Sequence, residues 1–329
     1  MWRVIRENLC QIYFLVEKNL INKISYPLIL LLAFNYGCAT RRVQIREEPY
    51  PKDSYLIQNV PFYKQTGNTC GPAALASVLA YWGIKFDYTN LLQSVYSPEL
   101  GGSLDFETSF YARKFDLWSR YYQTGLDDLK AKIKEGIPLI VMQKESPLAR
   151  DYHYIVAFGF DDQEKKIVAH IGRRAYAVIS YDRFMRMWKD ADFAAIVIAP
   201  PEKVTWPLDV QGYTYLGYLL EKKDLLERAS DIYLKAVSLD PGAKVAYFNL
   251  GNVYFKMSKF DRAEESFQKV IQLDANFADA YNNLACVYLS ENIKLKEAEA
   301  LVQKASELNP QGKKYYLDTL EQIKQRGEK

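Results

Sequence analysis

The sequence predicts a chain in two parts: an α+β domain over residues 55–200, then an all-α repeat solenoid over residues 209–329. Three observations carry this reading. Residues 137–200 hold short apolar runs rich in β-formers, broken by turn residues. From Tyr213 onward, aromatic and small residues recur at 34-residue steps. Between the two lies APPEKVTWP, residues 199–207, a proline-rich stretch read as a linker at 201–208. A chain of 329 residues suits two domains at roughly 150 residues each. Its 49% hydrophobic and 25% charged residues are a globular composition.

The elements follow in order. Residues 1–37 read as a signal peptide: Lys18 and Lys23 precede a short apolar core, Pro27 to Phe34, well under the roughly 20 residues a span needs. The core ends at Gly37-Cys38, which resembles the lipobox of bacterial lipoproteins, although Asn35 and Tyr36 depart from its usual residues. That resemblance implies a lipid on Cys38; an uncleaved apolar anchor and an ordinary signal peptide are the alternatives. Ala39 rather than aspartate follows, which in enteric-type bacteria implies the outer membrane, facing the periplasm. Residues 38–54 are polar and read as a tether.

In the middle domain a helix is expected over 70–82, closed by Gly83, and another over 127–136, closed by Gly136. IPLIVMQ and HYIVAFGF (153–160) read as buried strands, DDQEKK as a turn, and KIVAHIG with AYAVISY as a hairpin-like pair. DRFMRMW reads as a short helix and FAAIVIAP as the last strand. Gly101-Gly102 reads as a loop. A helical lobe followed by a mostly antiparallel sheet is an α+β arrangement.

In the last third, Tyr213, Leu216, Gly217 and Ala229 return as Tyr247, Leu250, Gly251 and Ala263, then as Tyr281, Leu284 and Ala285. One extra residue in SENIKLKEA shifts Ala298, Ala305 and Pro310. Spacing and residue types resemble three tetratricopeptide repeats, with a capping helix over about 312–326. The small residues let paired helices approach and the aromatics fill the gaps.

Chemistry concentrates at QTGNTCGPAA, residues 65–74. Asn68 or Thr69 is placed to cap the helix and Pro72 suits its first turn. Cys70 thus sits at the positive end of a helix, a position that lowers a thiol's pKa. The chain has only two histidines, His153 and His170. His153 begins a strand, on the face of Ile155 and Ala157, and is the candidate base for a Cys70 nucleophile. The Cys70 N–H and the Gln65 side chain are candidate oxyanion donors. Each cysteine also has a plainer reading as a small buried residue, which is preferred for Cys286, inside a repeat helix.

Gln65, Cys70-Gly71-Pro72-Ala73, His153-Tyr154 and the closing strand resemble the bacteriocin-processing, double-glycine leader peptidases of the papain-like clan. The resemblance implies a papain-like cysteine peptidase fold over residues 55–200, with Cys70 as nucleophile, His153 as base and Gln65 as oxyanion donor. No nucleotide-binding motif accompanies it, so the family's transporter is not expected. Gln65 is one residue closer to the cysteine than in transporter-linked members. The family's aspartate, about sixteen residues after the histidine, is replaced by Ala169 or His170. His170 is a possible third member, bonding His153, or a surface imidazole. Asp161 and Asp162 are substitutes by charge, but read more simply as solvated turn residues.

Two functions follow. One is an exported, lipid-anchored cysteine peptidase that acts on a peptide or protein, with the repeats binding substrate or partner. The other is a catalytically inactive, peptide-binding scaffold lipoprotein acting through its repeats. A Cys70–Cys286 disulfide is a further alternative. The scattered cysteines, with no CxxC, suggest neither a metal site nor a cofactor. A net charge of +3, part of it in residues 1–37, gives no electrostatic case for nucleic acid.

Overall fold

The computed structural model describes residues 54–99, 102–103, 105–144 and 152–327. The expected signal peptide, the lipidation residue Cys38, the tether up to residue 53 and Gly101 lie outside the described residues.

The first part is a sheet with helices packed against it. Helix α1 (Cys70–Tyr81) ends at Gly83, whose φ of +73° is the left-handed turn the sequence anticipates. Helix α1 is buried along nearly its whole length. Next come α2 (Tyr88–Val95), the short pair β2 (Tyr96–Ser97) and β3 (Gly102–Ser103), and α3 (Asp105–Arg113). Gly102 therefore belongs to a two-residue strand rather than to an open loop. Strand β4 (Trp118–Gln123) and helix α4 (Leu126–Lys134) follow. The remaining elements are β5 (Leu139–Lys144), β6 (Tyr152–Asp161), β7 (Lys166–Ile171), β8 (Arg174–Ser180), α5 (Tyr181–Lys189) and β9 (Ala194–Ala199).

The sheet runs β4-β9-β5-β6-β7-β8, and every pairing in it is antiparallel. Strand β1 (Ser54–Leu56) pairs with β6 at residues 159–161, beyond the stretch that β5 covers. On the other edge, β7 pairs β6 only from Val156 onward. Among the described residues, the beginning of β6 is thus left without a strand on that side, and the start of α1 comes to it. Buried Leu139, Val141, Ile155, Ala157, Ile196 and Val197 form the centre of the core.

The second part is three helix pairs and a last helix. They are α6 (Val210–Lys222) with α7 (Leu226–Leu239), α8 (Lys244–Lys256) with α9 (Phe260–Leu273), and α10 (Ala278–Glu291) with α11 (Leu295–Leu308). Helix α12 (Lys313–Gly327) packs on α10 and α11 and closes the stack. A Cβ on Gly217 would stand 2.6 Å from the Tyr233 ring, and one on Gly251 2.7 Å from Phe267. The small residues are therefore contact points for the aromatic rings of the paired helix, as their spacing implied. The extra residue of the third repeat lengthens α10 to 14 residues, against 13 for α6 and α8.

The segment joining the parts is packed. Val204 and Leu208 are buried, and Trp206 meets Trp118 edge-on with ring centroids 5.6 Å apart. Lys132 Nζ lies 4.2 Å from the centre of the Trp206 ring. Asp209 caps α6 through the Gly212 N–H at 2.8 Å and pairs with Arg120 of β4 at 2.7 Å.

Candidate active site

Cys70 is the first residue of α1. The first turn of a helix has N–H groups with no intrahelical acceptor. Pro72 has no N–H to leave unpaired, and Ala73 N–H already bonds Thr69 O at 3.1 Å. The Gly71 N–H donates to the Cys70 sulfur. The expected side-chain cap is absent: Thr69 occupies the cap position, but its hydroxyl turns back to Thr66, donating to its carbonyl at 2.8 Å and accepting from its N–H at 3.1 Å. This closes the TGNT turn and leaves the helix's positive end to the thiol.

The sulfur sits against the open edge of β6, where the Tyr154 N–H donates to it, and His153 shares a side-chain hydrogen bond with it. Burial by itself pushes the thiol up. The His153 hydrogen bond and charge, with the Tyr154 and Gly71 N–H groups, outweigh that burial and hold Cys70 below the usual thiol value. The structure thus brings together two residues 83 positions apart in sequence.

Gln65 lines the same recess as Cys70, Tyr154 and His170. Its main-chain N–H bonds Gly172 O at 3.1 Å, tying the loop before α1 to the β7–β8 turn. Its side-chain amide donates one N–H to Gly67 O at 2.7 Å and carries a second.

His170 is neither a surface imidazole nor a partner of His153. It is 4% exposed, enclosed by Phe62, Phe158 and Tyr176. Nε2 donates to Val60 O at 3.0 Å, and Nδ1 accepts from Tyr176 N–H at 3.3 Å. Both nitrogens are taken by main chain, and burial lowers its pKa. The neutral ring knits β7 to the segment leading into α1.

The acidic substitutes are likewise elsewhere. Asp161 accepts from the Gln163 and Glu164 N–H groups, each at 2.9 Å. Asp162 pairs with Lys130 and accepts from the Tyr181 hydroxyl. Eight residues of strand, roughly 26 Å, separate Asp161 from His153. Cys70 and Cys286 are both free thiols, so the disulfide alternative falls.

Two neighbours of these residues were not singled out from sequence. Ser103 packs on Gly71: a Cβ there would lie 2.7 Å from its Cβ and Oγ. Gln143 stands directly across the sheet from His153 and is 1% exposed. A glutamine ending the apolar run IPLIVMQ was the available signal for the second.

Residues 57–189 match the model of the Peptidase_C39 like family. Residues 210–242, 245–277 and 277–309 each match a tetratricopeptide repeat model. The chain joins a Peptidase_C39-like domain to three tetratricopeptide repeats. No curated protein matches it. Two solved structures similar to it lie alongside about a third of its length. One is the first TPR of Spaghetti (RPAP3) bound to the HSP90 peptide SRMEEVD: 24% identity, 37% of this chain, 94% of that chain, TM-score 0.35. The other is the translocator chaperone SycD of Yersinia enterocolitica type III secretion: 21% identity, 36% and 86%, TM-score 0.35.

Proposed function

We propose that the Peptidase_C39-like domain is an active cysteine peptidase, exported and held to the cell envelope by a lipid on Cys38. The observation that carries the catalytic part is the Cys70–His153 hydrogen bond at a helix N-terminus, with the thiol drawn down despite burial. Cys70 Sγ attacks a peptide carbonyl and forms an S–C bond. The oxyanion is received by the Cys70 N–H and the second Gln65 N–H. His153 gives its proton to the leaving amine, then takes one from water, which opens the thioester and releases the acid. An amine in place of that water would turn the same residues to transfer.

The substrate is a peptide or protein, and the repeats supply a surface for substrate or partner. In support, α6 and α8 line an open cleft of about 410 Å³ with Val210, Tyr215, Tyr218 and Val245. Tyr218 and Val245 are about half exposed, at 48% and 51%. Anchoring rests on Gly37-Cys38 in sequence; among the described residues no helix is long and apolar enough to cross a membrane.

The test combines iodoacetamide labelling of the full chain, mapped by mass spectrometry, with cleavage of a peptide library. Fast labelling of Cys70, lost in His153→Ala, together with cleavage lost in Cys70→Ala, is the expected result. Labelling of Cys70 no faster than Cys286 would leave the repeat scaffold as the account. Fatty-acid labelling of wild type but not Cys38→Ala tests the anchor.

A further inference from the structure

The junction between the two parts carries a half-buried cation that no carboxylate among the described residues neutralises. Arg113 ends α3, and its guanidinium carbon lies 4.7 Å from the centre of the Phe110 ring and 4.6 Å from that of Tyr215, on α6 of the first repeat. It donates twice to Ser119, from Nε to Oγ at 3.4 Å and from one Nη to the carbonyl at 3.2 Å, so both acceptors are neutral. The neighbouring cations have acidic partners: Arg120 pairs with Asp209, Lys222 with Asp116 and Lys223 with Glu202. A guanidinium held against two rings and a main-chain carbonyl is aimed before any ligand arrives, and its planar fork suits a carboxylate. Apolar surface continues from it. The Tyr215 ring stacks on Tyr218, centroids 6.3 Å apart, and both line the cleft between α6 and α8 with Val245. Phe110, from the peptidase-like domain, is 58% exposed. The cleft itself adds no second cation for an acid: Lys244 is paired with Asp274, and Asp240 is negative.

We infer that this junction binds a peptide segment in which one acidic residue is flanked by apolar ones. The carboxylate pairs with Arg113, and the apolar side chains lie on Phe110, Tyr215, Tyr218 and Val245. Positive charge without a carboxylate, beside exposed aromatic surface, selects the acid. Asp240 on the same cleft selects against a run of acids. Neither part holds this site alone, because the cation and Phe110 come from the peptidase-like domain and the tyrosines from the first repeat. The inference deepens the reading that the repeats supply a surface for substrate or partner and rests on it, not on the chemistry of Cys70.

The experiment measures binding by fluorescence anisotropy to the full chain carrying Cys70→Ala, so that no peptide is consumed. The probes are pools of short fluorescein-labelled peptides, identical except for one fixed residue, Glu, Gln or Lys, set among Leu, Tyr, Ser and Gly. The Glu pool should bind about 10-fold more tightly than the Gln pool, the effect of one charge-assisted hydrogen bond. The Lys pool should bind most weakly. Arg113→Gln should erase the preference for Glu over Gln, whereas Tyr218→Ala, at an exposed position, should weaken both pools alike. No binding of any pool, equal binding of the Glu and Gln pools, or an Arg113→Gln protein that keeps the preference overturns the inference. So does a dimer in sedimentation that Tyr218→Ala dissolves, since a second copy would then cover the surface. Should Arg113→Gln fail to fold, unchanged binding in Tyr218→Ala overturns it equally. Slow Cys70 labelling with the Glu preference retained removes the peptidase and leaves this inference standing; fast labelling without the preference does the reverse.

Discussion

Cys70 and Cys286 are both shielded thiols on helices, one in each part of the molecule, and their acidities move in opposite directions. Burial pushes both up. Cys286 lies within α10, 3.8 Å from Asn282 Nδ2 and 3.9 Å from the Thr319 hydroxyl, and burial wins. Cys70 stands where a helix begins and a strand edge is open. Two main-chain N–H groups and an imidazole converge on it, and the balance reverses. The difference teaches that backbone placement, more than exposure, turns a buried thiol toward chemistry.

The largest expected effect breaks this contrast outright. At pH 7 an ordinary thiol is only a few per cent thiolate, so Cys70 should alkylate about 10- to 30-fold faster than Cys286. His153→Ala should bring the two rates together, raising the Cys70 pKa because burial then acts with less opposition. Equal rates in the wild type would end the distinction. A smaller effect comes from the helix start. Gly71→Ala puts a methyl 2.7 Å from Ser103, an overpacking cost of about 1–3 kcal/mol. Urea unfolding should register that loss, and Cys70 labelling should slow while Cys286 labelling does not. Adding Ser103→Gly should return part of both, since the two positions touch.

The same two regions divide what was legible in the sequence. In the repeats, Gly217, Gly251 and Ala285 at fixed steps disclosed the helix pairing, because periodic contacts leave periodic residues. In the peptidase-like domain, Cys70 and His153 were legible, as rare residue types at a helix start and a strand start. The stretch from Ile84 to Thr124, holding α2, α3 and β4, carries no periodic signal for those elements. In β4 only Trp118 and Ser119 are buried side by side, and the rest alternates on the sheet's edge. The role of His170 was also out of reach. Its partners are the Val60 carbonyl and the Tyr176 N–H, and main-chain groups carry no residue signature.

That role yields a third, smaller expectation, setting one histidine against the other. Burial holds the His170 pKa below 6.5, whereas in the unfolded chain it titrates near 6.5. Between those values the unfolded state binds more protons, so stability falls as pH drops through 6.5 and levels off below the folded pKa. His170→Gln should be less stable at pH 7 yet lose less on going from pH 7 to 5.5. Denaturant midpoints at the two pH values measure this, and parallel losses in both proteins would contradict it.

The smallest effects belong at the junction, where the two regions meet. Arg120 and Asp209 pair at 2.7 Å, with side chains 40% and 52% exposed. An ion pair that open to solvent contributes about 0–1 kcal/mol. Asp209 has a second role, because its other oxygen caps α6 through Gly212 N–H, and losing a cap costs about 1 kcal/mol. Asp209→Ala should therefore lower stability clearly more than Arg120→Ala, with Asp209→Asn, which keeps a capping oxygen, falling between. Equal losses for Arg120→Ala and Asp209→Ala would mean that the ion pair, not the cap, fixes the start of the repeats. Neither change should alter Cys70 labelling more than about twofold, since the thiol's acidity is set at the β6 edge by groups outside the junction.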